Sequence, residues 1–237
     1  MRRKNRRETD ELRKIVIKRS FIKYAQGSTL ISFGNTKVLC VAMVEEGVPS
    51  FLRESEKGWL TAEYSMLPYA TPNRSFREVE RKKGRSYEIQ RLIGRSLRAV
   101  VNLDMLRNQT IWLDCDVLQA DGGTRCAAIT GSFLALLETD QWLREKGIIE
   151  GSIIKEWLAA ISVGIVENEL LLDLCYYEDS RAMVDMNLVM TDEGRVVEIQ
   201  VSGEEFSFSR KTLDDLLNLG EKGIKDLIKL EREAWRK

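Results

Sequence analysis

The order of strand and helix patterns along this chain of 237 residues constrains its fold most. Apolar or alternating runs typical of strands lead into segments with helical spacing of apolar residues, and this order occurs twice. The main strand runs are Lys37–Val44 and Thr110–Leu118 in the first pass, then Val184–Met190 and Arg195–Val201 in the second. We therefore predict one domain built as a duplicated α/β (α+β) unit, with pseudo-halves at about 10–140 and 155–230.

The predicted helices carry apolar residues at intervals of three and four. One contains Ile89, Leu92 and Ile93, and another begins after Gly122-Gly123. Near the C-terminus the pattern predicts two helices, one from Ser209 through Leu217 and a separate one that contains Ile224–Ile228.

Composition excludes several kinds of enzyme. The chain has no histidine, which excludes a Ser-His-Asp triad, a Cys-His pair and a histidine zinc site. An enzyme of this composition needs a nucleophile that is already an anion, such as inorganic phosphate, or a metal that activates one. The 37 Lys and Arg residues balance 37 Asp and Glu residues, so affinity for nucleic acid must come from local basic patches.

The sequence carries no mark of export or membrane insertion. Its longest apolar runs are far too short to cross a bilayer, and the basic segment Met1–Arg7 lacks the apolar stretch of a secretory signal. The four cysteines lie far apart without a C-x-x-C spacing, which argues against a disulfide framework. Cys40 and Cys115 fall within strand patterns and are interpreted as buried apolar residues. We expect a soluble protein of the reducing cytoplasm.

One stretch combines the features of an anion-binding loop. A predicted strand leads to Asp121-Gly122-Gly123-Thr124-Arg125 at the start of a predicted helix. Glycines let a backbone approach an anion closely, and the N–H groups of a helix N-terminus favour negative charge there. Thr124 offers a hydroxyl and Arg125 a planar guanidinium to phosphate oxygens. Without further context, a glycine turn with a threonine cap is the commoner interpretation of such a stretch.

Basic residues cluster in Arg74–Arg85, directly before a predicted helix. In a functional interpretation, Arg85 binds a phosphate and the cluster binds an RNA backbone. A solvated charged loop is the alternative, and the cluster alone does not decide between them.

An acidic pair forms the third candidate. Asp185 and Asn187 share the polar face of the strand Val184–Met190, and Asp179 lies shortly before it. Two carboxylates near a phosphate would repel it unless a divalent cation, typically Mg²⁺, lies between them. A capping aspartate and a solvent-facing strand aspartate are the alternative.

Five long ordered motifs stand out in the chain, namely Val44–Pro49, Gly58–Tyr64 with Met66–Pro68, Glu88–Arg95, Asp114–Arg125 and Asp185–Thr191. Through them the chain resembles ribonuclease PH, the phosphate-dependent exoribonuclease family. The resemblance covers nearly the whole chain, from about Asp10 to the final helices. The resemblance implies mixed sheets packed with helices, and a ring-shaped homohexamer (a trimer of dimers) that trims the 3′ ends of tRNA precursors.

The resemblance also implies roles for individual residues. Inorganic phosphate is the implied co-substrate, and Arg85, Gly123, Thr124 and Arg125 match the phosphate-binding positions. Asp179 and Asp185 match the acidic pair assigned to catalysis and Mg²⁺ binding. Arg74 and Arg77 fall in the basic segment linked to RNA contact and ring assembly. The implied reaction is in-line attack of phosphate on the terminal phosphodiester, which releases a nucleoside diphosphate.

Three positions depart from the family pattern. Cys126 stands where threonine is usual, Tyr69 replaces a basic residue after Met-Leu-Pro, and Gln200–Glu205 differs from the usual segment. None of these departures removes a group with an implied catalytic role. Two alternatives stay open: a non-catalytic RNA-binding ring subunit of an exosome-like complex, and a metal-dependent nuclease that uses water in place of phosphate.

Overall fold

A computed structural model describes residues 3, 6–55, 57–77, 84–204 and 207–236. Its first β-sheet has the strand order β1-β2-β3-β5-β4. The strands are β1 (Ile15–Arg19), β2 (Gly27–Phe33), β3 (Thr36–Glu46), β4 (Trp59–Met66) and β5 (Gln109–Gln119). β4 runs parallel to β5 and the remaining neighbours are antiparallel, so this sheet is mixed. Because β4 and β5 are parallel, their C-terminal ends meet at one edge, where α/β folds commonly bind ligands.

The second sheet has the strand order β7-β6-β8-β9 and is antiparallel throughout. It consists of β6 (Leu158–Val166), β7 (Glu169–Leu172), β8 (Val184–Thr191) and β9 (Val196–Gly203). The central strands β6 and β8 are almost wholly buried, and β6 is correspondingly an almost continuous apolar run.

The described helices are α1 (Gly84–Ala99), α2 (Thr124–Glu145), α3 (Tyr176–Asp179) and α4 (Arg210–Arg236), with short 3₁₀ turns at Ser50–Leu52 and Leu103–Leu106. α2 packs against β2 and β3 of the first sheet and against β6 of the second. It is buried on nearly all sides, as its apolar sequence requires. A Cβ at Gly131 would lie 2.7 Å from Cys40 Sγ, so this glycine permits the close approach of α2 to the first sheet.

The prediction of two C-terminal helices is wrong. A single helix, α4, runs without interruption from Arg210 to Arg236. Gly220 and Gly223 lie within this helix, where it packs against the second sheet. A Cβ at Gly220 would lie 2.6 Å from Leu188 Cδ2, and one at Gly223 would lie 2.6 Å from Leu172 Cδ1. The glycines therefore allow close packing, and burial of the apolar face outweighs their low helix propensity.

The predicted α/β class, with sheets packed against helices, is confirmed, whereas the division into pseudo-halves stays a prediction. Cys40, Cys115 and Cys126 are buried, Cys175 is half-buried, and all four are free thiols. Within the described ranges, every helix is too short or too polar to span a bilayer.

Candidate active site

A cavity of about 420 Å³ opens where the two sheets meet. The first sheet contributes the segments that follow the parallel strands β4 and β5, and the second contributes α3 and the beginning of β8. The cavity is lined by Met66, Thr71, Pro72, Asn73, Arg85, Ala120, Gly122, Gly123, Thr124, Arg125, Ser162, Tyr176, Asp179, Asp185 and Asn187. The structure thus brings together every residue predicted to bind phosphate or to form the acidic pair.

The glycine loop forms one wall of the cavity. Gly122 and Gly123 both have left-handed backbones, with φ of 75° and 66°. A Cβ at Gly122 would lie 2.6 Å from the carbonyl carbon of Cys175, so a larger residue is excluded on two grounds. α2 begins directly afterwards, and its first intrahelical hydrogen bond is donated by Ala127 to the Gly123 carbonyl. The N–H groups that precede Ala127 are therefore available to an anion.

The side chains of Thr124 and Arg125 are held in place by neighbours. The Tyr64 hydroxyl donates to Thr124 Oγ1 at 2.9 Å, and burial raises the pKa of this tyrosine. Arg125 Nη1 donates to Gln200 Oε1 at 2.9 Å. Arg85 reaches the cavity from the first turn of α1 and is itself exposed. Two guanidinium groups and a helix N-terminus make this wall positive.

The opposite wall is acidic. Asn187 Nδ2 donates to Asp185 Oδ2 at 3.2 Å, which confirms that the two residues share a strand face. Burial, and secondarily repulsion from Asp179, raises the pKa of Asp185 to about 6. Burial also raises the pKa of Asp179, while Arg125 and Arg85 oppose that shift. Asp185 is half-buried and lines the cavity, so it is not the solvent-facing strand aspartate of the alternative interpretation.

The acidic pair has the chemistry of a site for a divalent metal ion. Asp185 Oδ1 is buried and accepts no hydrogen bond from any described residue. No cluster of three or more Cys, Asp or Glu ligands occurs in the part of the chain that the structure describes. Mg²⁺ needs only one or two carboxylates, since it keeps waters and takes phosphate oxygens as further ligands. The donor set of Asp179 and Asp185 therefore fits this ion.

The predicted RNA-binding arginines lie beside the cavity and outside its lining. Thr71, Pro72 and Asn73 line the cavity, and the exposed Arg74 follows immediately. Its guanidinium carbon lies 5.9 Å from the centroid of the Phe76 ring. Arg77 is also exposed. The remaining basic residues of the cluster, Arg81–Lys83, lie outside the described residues.

Sequence reasoning missed several residues that support the site. Arg13 is 4% exposed and contacts the glycine loop from behind. Ser162 lines the cavity, and its Oγ accepts from the Leu174 N–H at 3.1 Å. Tyr64 and Gln200 hold the two polar side chains of the positive wall. Arg13 and Ser162 lie outside the matching motifs, so no sequence signal pointed to them. Tyr64 and Gln200 lie in segments compared with the family pattern, but sequence reasoning assigned no role to either of them.

Comparison with known proteins assigns the chain to a family. The family models described as 3′ exoribonuclease family, domain 1 and domain 2, match residues 11–141 and 157–223. The ribonuclease PH of Bacillus pumilus is 58% identical over 229 residues, which cover 95% of each chain. That of Moorella thermoacetica is 54% identical over 99% of this chain and 94% of its own. This chain belongs to the ribonuclease PH family. It is a phosphate-dependent 3′ exoribonuclease, as the sequence motifs indicated.

Solved structures share the ribonuclease PH fold at low identity. Rice (Oryza sativa) Rrp46 superposes with a TM-score of 0.80 at 19% identity, over 97% of this chain and 98% of its own. The Archaeoglobus fulgidus exosome with RNA bound to the active site gives a TM-score of 0.81 at 24% identity, over 98% and 92%. These likenesses concern the fold alone.

The departures from the ribonuclease PH pattern fall close to the site. The Cys126 thiol donates to Asn187 Oδ1 at 3.3 Å, and burial raises its pKa so that it stays protonated. Cysteine therefore still supplies a hydrogen-bond donor next to the acidic wall, though a weaker one than a hydroxyl. Tyr69 is 65% exposed. Gln200, in the divergent segment, retains a contact with Arg125, and Glu205 lies outside the described residues.

Proposed function

We propose that this ribonuclease PH trims the 3′ ends of tRNA precursors at the cavity between its two sheets, with inorganic phosphate as the nucleophile. The proposal rests on one observation: two oppositely charged walls face each other across one cavity of about 420 Å³. Phosphorolysis requires two anions, the attacking phosphate and the terminal phosphodiester, to meet. A positive wall binds the first, and an acidic wall suits a cation that shields both.

Phosphate binds at the positive wall in this proposal. Arg85 and Arg125 supply charge-assisted hydrogen bonds, and Thr124 supplies a hydroxyl. The N–H groups at Gly123 and at the start of α2 supply further donors, aligned with the positive end of the helix dipole. Because the Tyr64 hydroxyl and Gln200 already fix Thr124 and Arg125, little reorganisation accompanies binding.

Asp179 and Asp185 form the catalytic acidic pair and would hold Mg²⁺. The bound ion would neutralise charge on the phosphate oxygens as the new bond forms. Asn187 orients the Asp185 carboxylate through the bond to Oδ2, and Oδ1 is buried with no hydrogen-bond partner among the described residues. A carboxyl with a pKa of about 6 also carries a proton in mildly acidic solution. Protonation of the departing ribose oxygen is the alternative role for Asp185, because a carboxylate that holds Mg²⁺ carries no proton.

The attacking phosphate oxygen bonds to the terminal phosphorus, and the bond from that phosphorus to the ribose O3′ of the preceding nucleotide breaks. The products are a nucleoside 5′-diphosphate and an RNA one nucleotide shorter, with a free 3′-hydroxyl. Arg74 and Arg77 contact the RNA backbone upstream of this bond. We further propose a cytoplasmic homohexamer, a trimer of dimers, in which several such basic segments surround one RNA.

A tRNA that carries extra 3′ nucleotides, incubated with and without inorganic phosphate, tests the proposed reaction. Nucleoside diphosphates that form only with phosphate support phosphorolysis, and removal of Mg²⁺ by a chelator should suppress them. Nucleoside monophosphates formed without phosphate would contradict phosphorolysis and indicate hydrolysis. RNA binding without any product would instead indicate a non-catalytic ring subunit.

A further inference from the structure

Arg13, just before β1, joins the two sheets behind the glycine loop. Its guanidinium forms a two-point ion pair with Asp173, with Nε–Oδ2 at 3.0 Å and Nη2–Oδ1 at 2.7 Å. The Arg13 backbone N–H also donates to Asp173 Oδ2 at 2.8 Å. Asp173 follows β7 and is fully buried. The pair therefore fixes the guanidinium on the second sheet with little freedom to turn.

The same guanidinium binds the carbonyl groups of the glycine loop. Arg13 Nη1 donates to the Asp121 carbonyl at 2.6 Å, and both Nη atoms lie 3.4 Å from the Gly122 carbonyl oxygen. The Thr36 hydroxyl donates to that second carbonyl at 2.7 Å. Two successive carbonyls are thus held on the side of the loop that faces Arg13.

The direction of these two carbonyls fixes the direction of the N–H groups that follow them. In a trans peptide the carbonyl and the following N–H point in opposite directions, and the described chain contains no cis peptide. The N–H groups of Gly122 and Gly123 therefore point away from Arg13. No described residue accepts a hydrogen bond from either group, although both glycines line the cavity.

We propose that Arg13 is a positioning residue that turns the N–H groups of Gly122 and Gly123 toward bound phosphate. It never touches the phosphate itself. The inference rests on the proposed phosphate site and deepens it, because it assigns phosphate binding partly to backbone donors whose direction is set from behind. Successive N–H groups in a turn are a known means of holding an anion.

Lysine cannot replace Arg13 in this role. An ammonium group can pair with Asp173, but it lacks the planar fork that reaches a carboxylate on one side and two carbonyls on the other. Arg13→Lys therefore keeps the buried charge while it releases the loop. A purely structural ion pair would behave differently, since the lysine variant would lose stability without a selective effect on phosphate.

The test compares Arg13→Lys with Arg19→Lys. Arg19 lies on β1, pairs with the buried Glu138 at 3.2 Å, and is not part of the cavity lining. We expect Arg13→Lys to raise the KM for phosphate about tenfold or more, the scale of a lost charge-assisted contact. The KM for RNA should stay within about twofold, because the proposed contacts to the RNA backbone, Arg74 and Arg77, lie outside the cavity lining. Arg19→Lys should lower thermal stability and leave both KM values unchanged. A folded Arg13→Lys protein with the KM for phosphate of the unmodified protein would overturn the inference.

A second variant covers the case in which Arg13→Lys does not fold. Arg13→Met combined with Asp173→Asn removes both charges of the pair. Arg7, whose Nη1 lies 3.7 Å from Asp173 Oδ2, keeps its ion pair with Glu178 at 3.5 Å. The asparagine oxygen can still accept the backbone N–H at residue 13. The double variant should show the same selective rise in the KM for phosphate, and a KM equal to that of the unmodified protein would refute the role of Arg13.

Calorimetric titration with inorganic phosphate, without RNA, separates this inference from the proposed function. Weaker phosphate binding by Arg13→Lys than by the unmodified protein supports the positioning role even in a protein that does not phosphorolyse RNA. Equal binding by the two proteins contradicts the positioning role, whatever the enzyme assay gives.

Discussion

The positive and acidic walls of the cavity are built in different ways. The positive wall comes largely from one continuous stretch, Gly122–Arg125, in which neighbours occupy the side chains of Thr124 and Arg125. The acidic wall combines Asp179 of α3 with Asp185 of β8, and one oxygen of Asp185 is buried without a partner among the described residues. The side chains of the positive wall are therefore fixed before any ligand binds. In the acidic wall, Asp179 and Asp185 repel each other, and a bound cation would relieve that repulsion.

We infer from this difference that the positive wall binds phosphate and that the acidic wall takes part in the reaction. A wall with satisfied hydrogen bonds keeps its shape and binds an anion with little reorganisation. An acidic pair with raised pKa values is destabilised in its charged form, and such groups concentrate at functional sites. We therefore expect changes in the positive wall to weaken phosphate affinity, and changes in the acidic wall to lower turnover.

Substitution of Asp185 should have the largest effect. Asp185→Asn keeps the shape of the side chain and removes its charge, so folding and RNA binding should persist. Turnover under saturating phosphate and Mg²⁺ should fall about a hundredfold or more, the scale for loss of an acid–base or electrostatic group. The rate of nucleoside diphosphate release measures this turnover.

A double variant tests whether the two aspartates of the acidic wall act together. Asp179→Asn added to Asp185→Asn should lower turnover far less than the product of the two single effects, because the pair acts as one unit. Near-full activity of Asp185→Asn would show that the acidic wall is structural, and the proposed division of roles would then be wrong.

Arg125→Ala should have the next largest effect, and on a different quantity. Loss of a charge-assisted contact costs about 1.5–3 kcal/mol, so phosphate affinity should fall about tenfold or more. Turnover at saturating phosphate should fall much less. Arg95→Ala is the control, since Arg95 pairs with Glu198 at 2.7 Å outside the cavity lining. Unchanged phosphate dependence in folded Arg125→Ala would remove Arg125 from the site.

The two walls also differ in how far sequence could predict them. The positive wall is contiguous, so Gly123, Thr124 and Arg125 stand out as a strand–glycine–helix motif. The period-two pattern of β8 placed Asp185 and Asn187 on one face, which the hydrogen bond between them confirms. Local patterns of this kind follow from the geometry of single elements.

Contacts between distant segments could not be predicted in the same way. Arg13 lies 108 positions from Asp121 and 160 from Asp173 in sequence, and only the fold brings the three together. Two C-terminal helices were predicted in place of α4, because the close packing of Leu188 and Leu172 against Gly220 and Gly223 within one continuous helix is not visible in sequence. Tertiary packing overrides local propensity in such cases.

Glu231 provides a buried carboxyl to compare with Asp185, because it lies on α4 and outside the cavity lining. It is fully buried, neither carboxylate oxygen has a described partner, and burial raises its pKa well above the ordinary value. A carboxyl whose pKa is raised on folding stabilises the protein below its unfolded pKa and loses that contribution as the pH rises. Stability should therefore fall by about 1.4 kcal/mol per pH unit between the two pKa values.

Glu231→Gln should abolish this pH dependence while it leaves phosphorolysis unchanged. Urea unfolding should give similar stabilities for the variant and the unmodified protein near pH 4.5, and a more stable variant at pH 8. Glu233→Gln, at an exposed position two residues further on, is the control and should follow the unmodified protein. If the variant were no more stable than the unmodified protein at pH 8, another group would have to stabilise the charged Glu231 carboxylate in the folded protein.

The smallest effect is expected beyond both walls, at Arg74 and Arg77. These exposed arginines follow the segment Thr71–Asn73 that lines the cavity, so they lie where RNA would leave it. Replacement of both by alanine should weaken binding of a tRNA precursor a few-fold, with turnover of a short single-stranded RNA nearly unchanged.

Each lost phosphate contact should lower the slope of log affinity against log salt by about 0.7–0.9. Binding of both RNAs across a range of salt concentrations measures that slope. Equal losses for the two RNAs would place the arginines against the 3′ end itself, and an unchanged slope would mean that neither touches a phosphate.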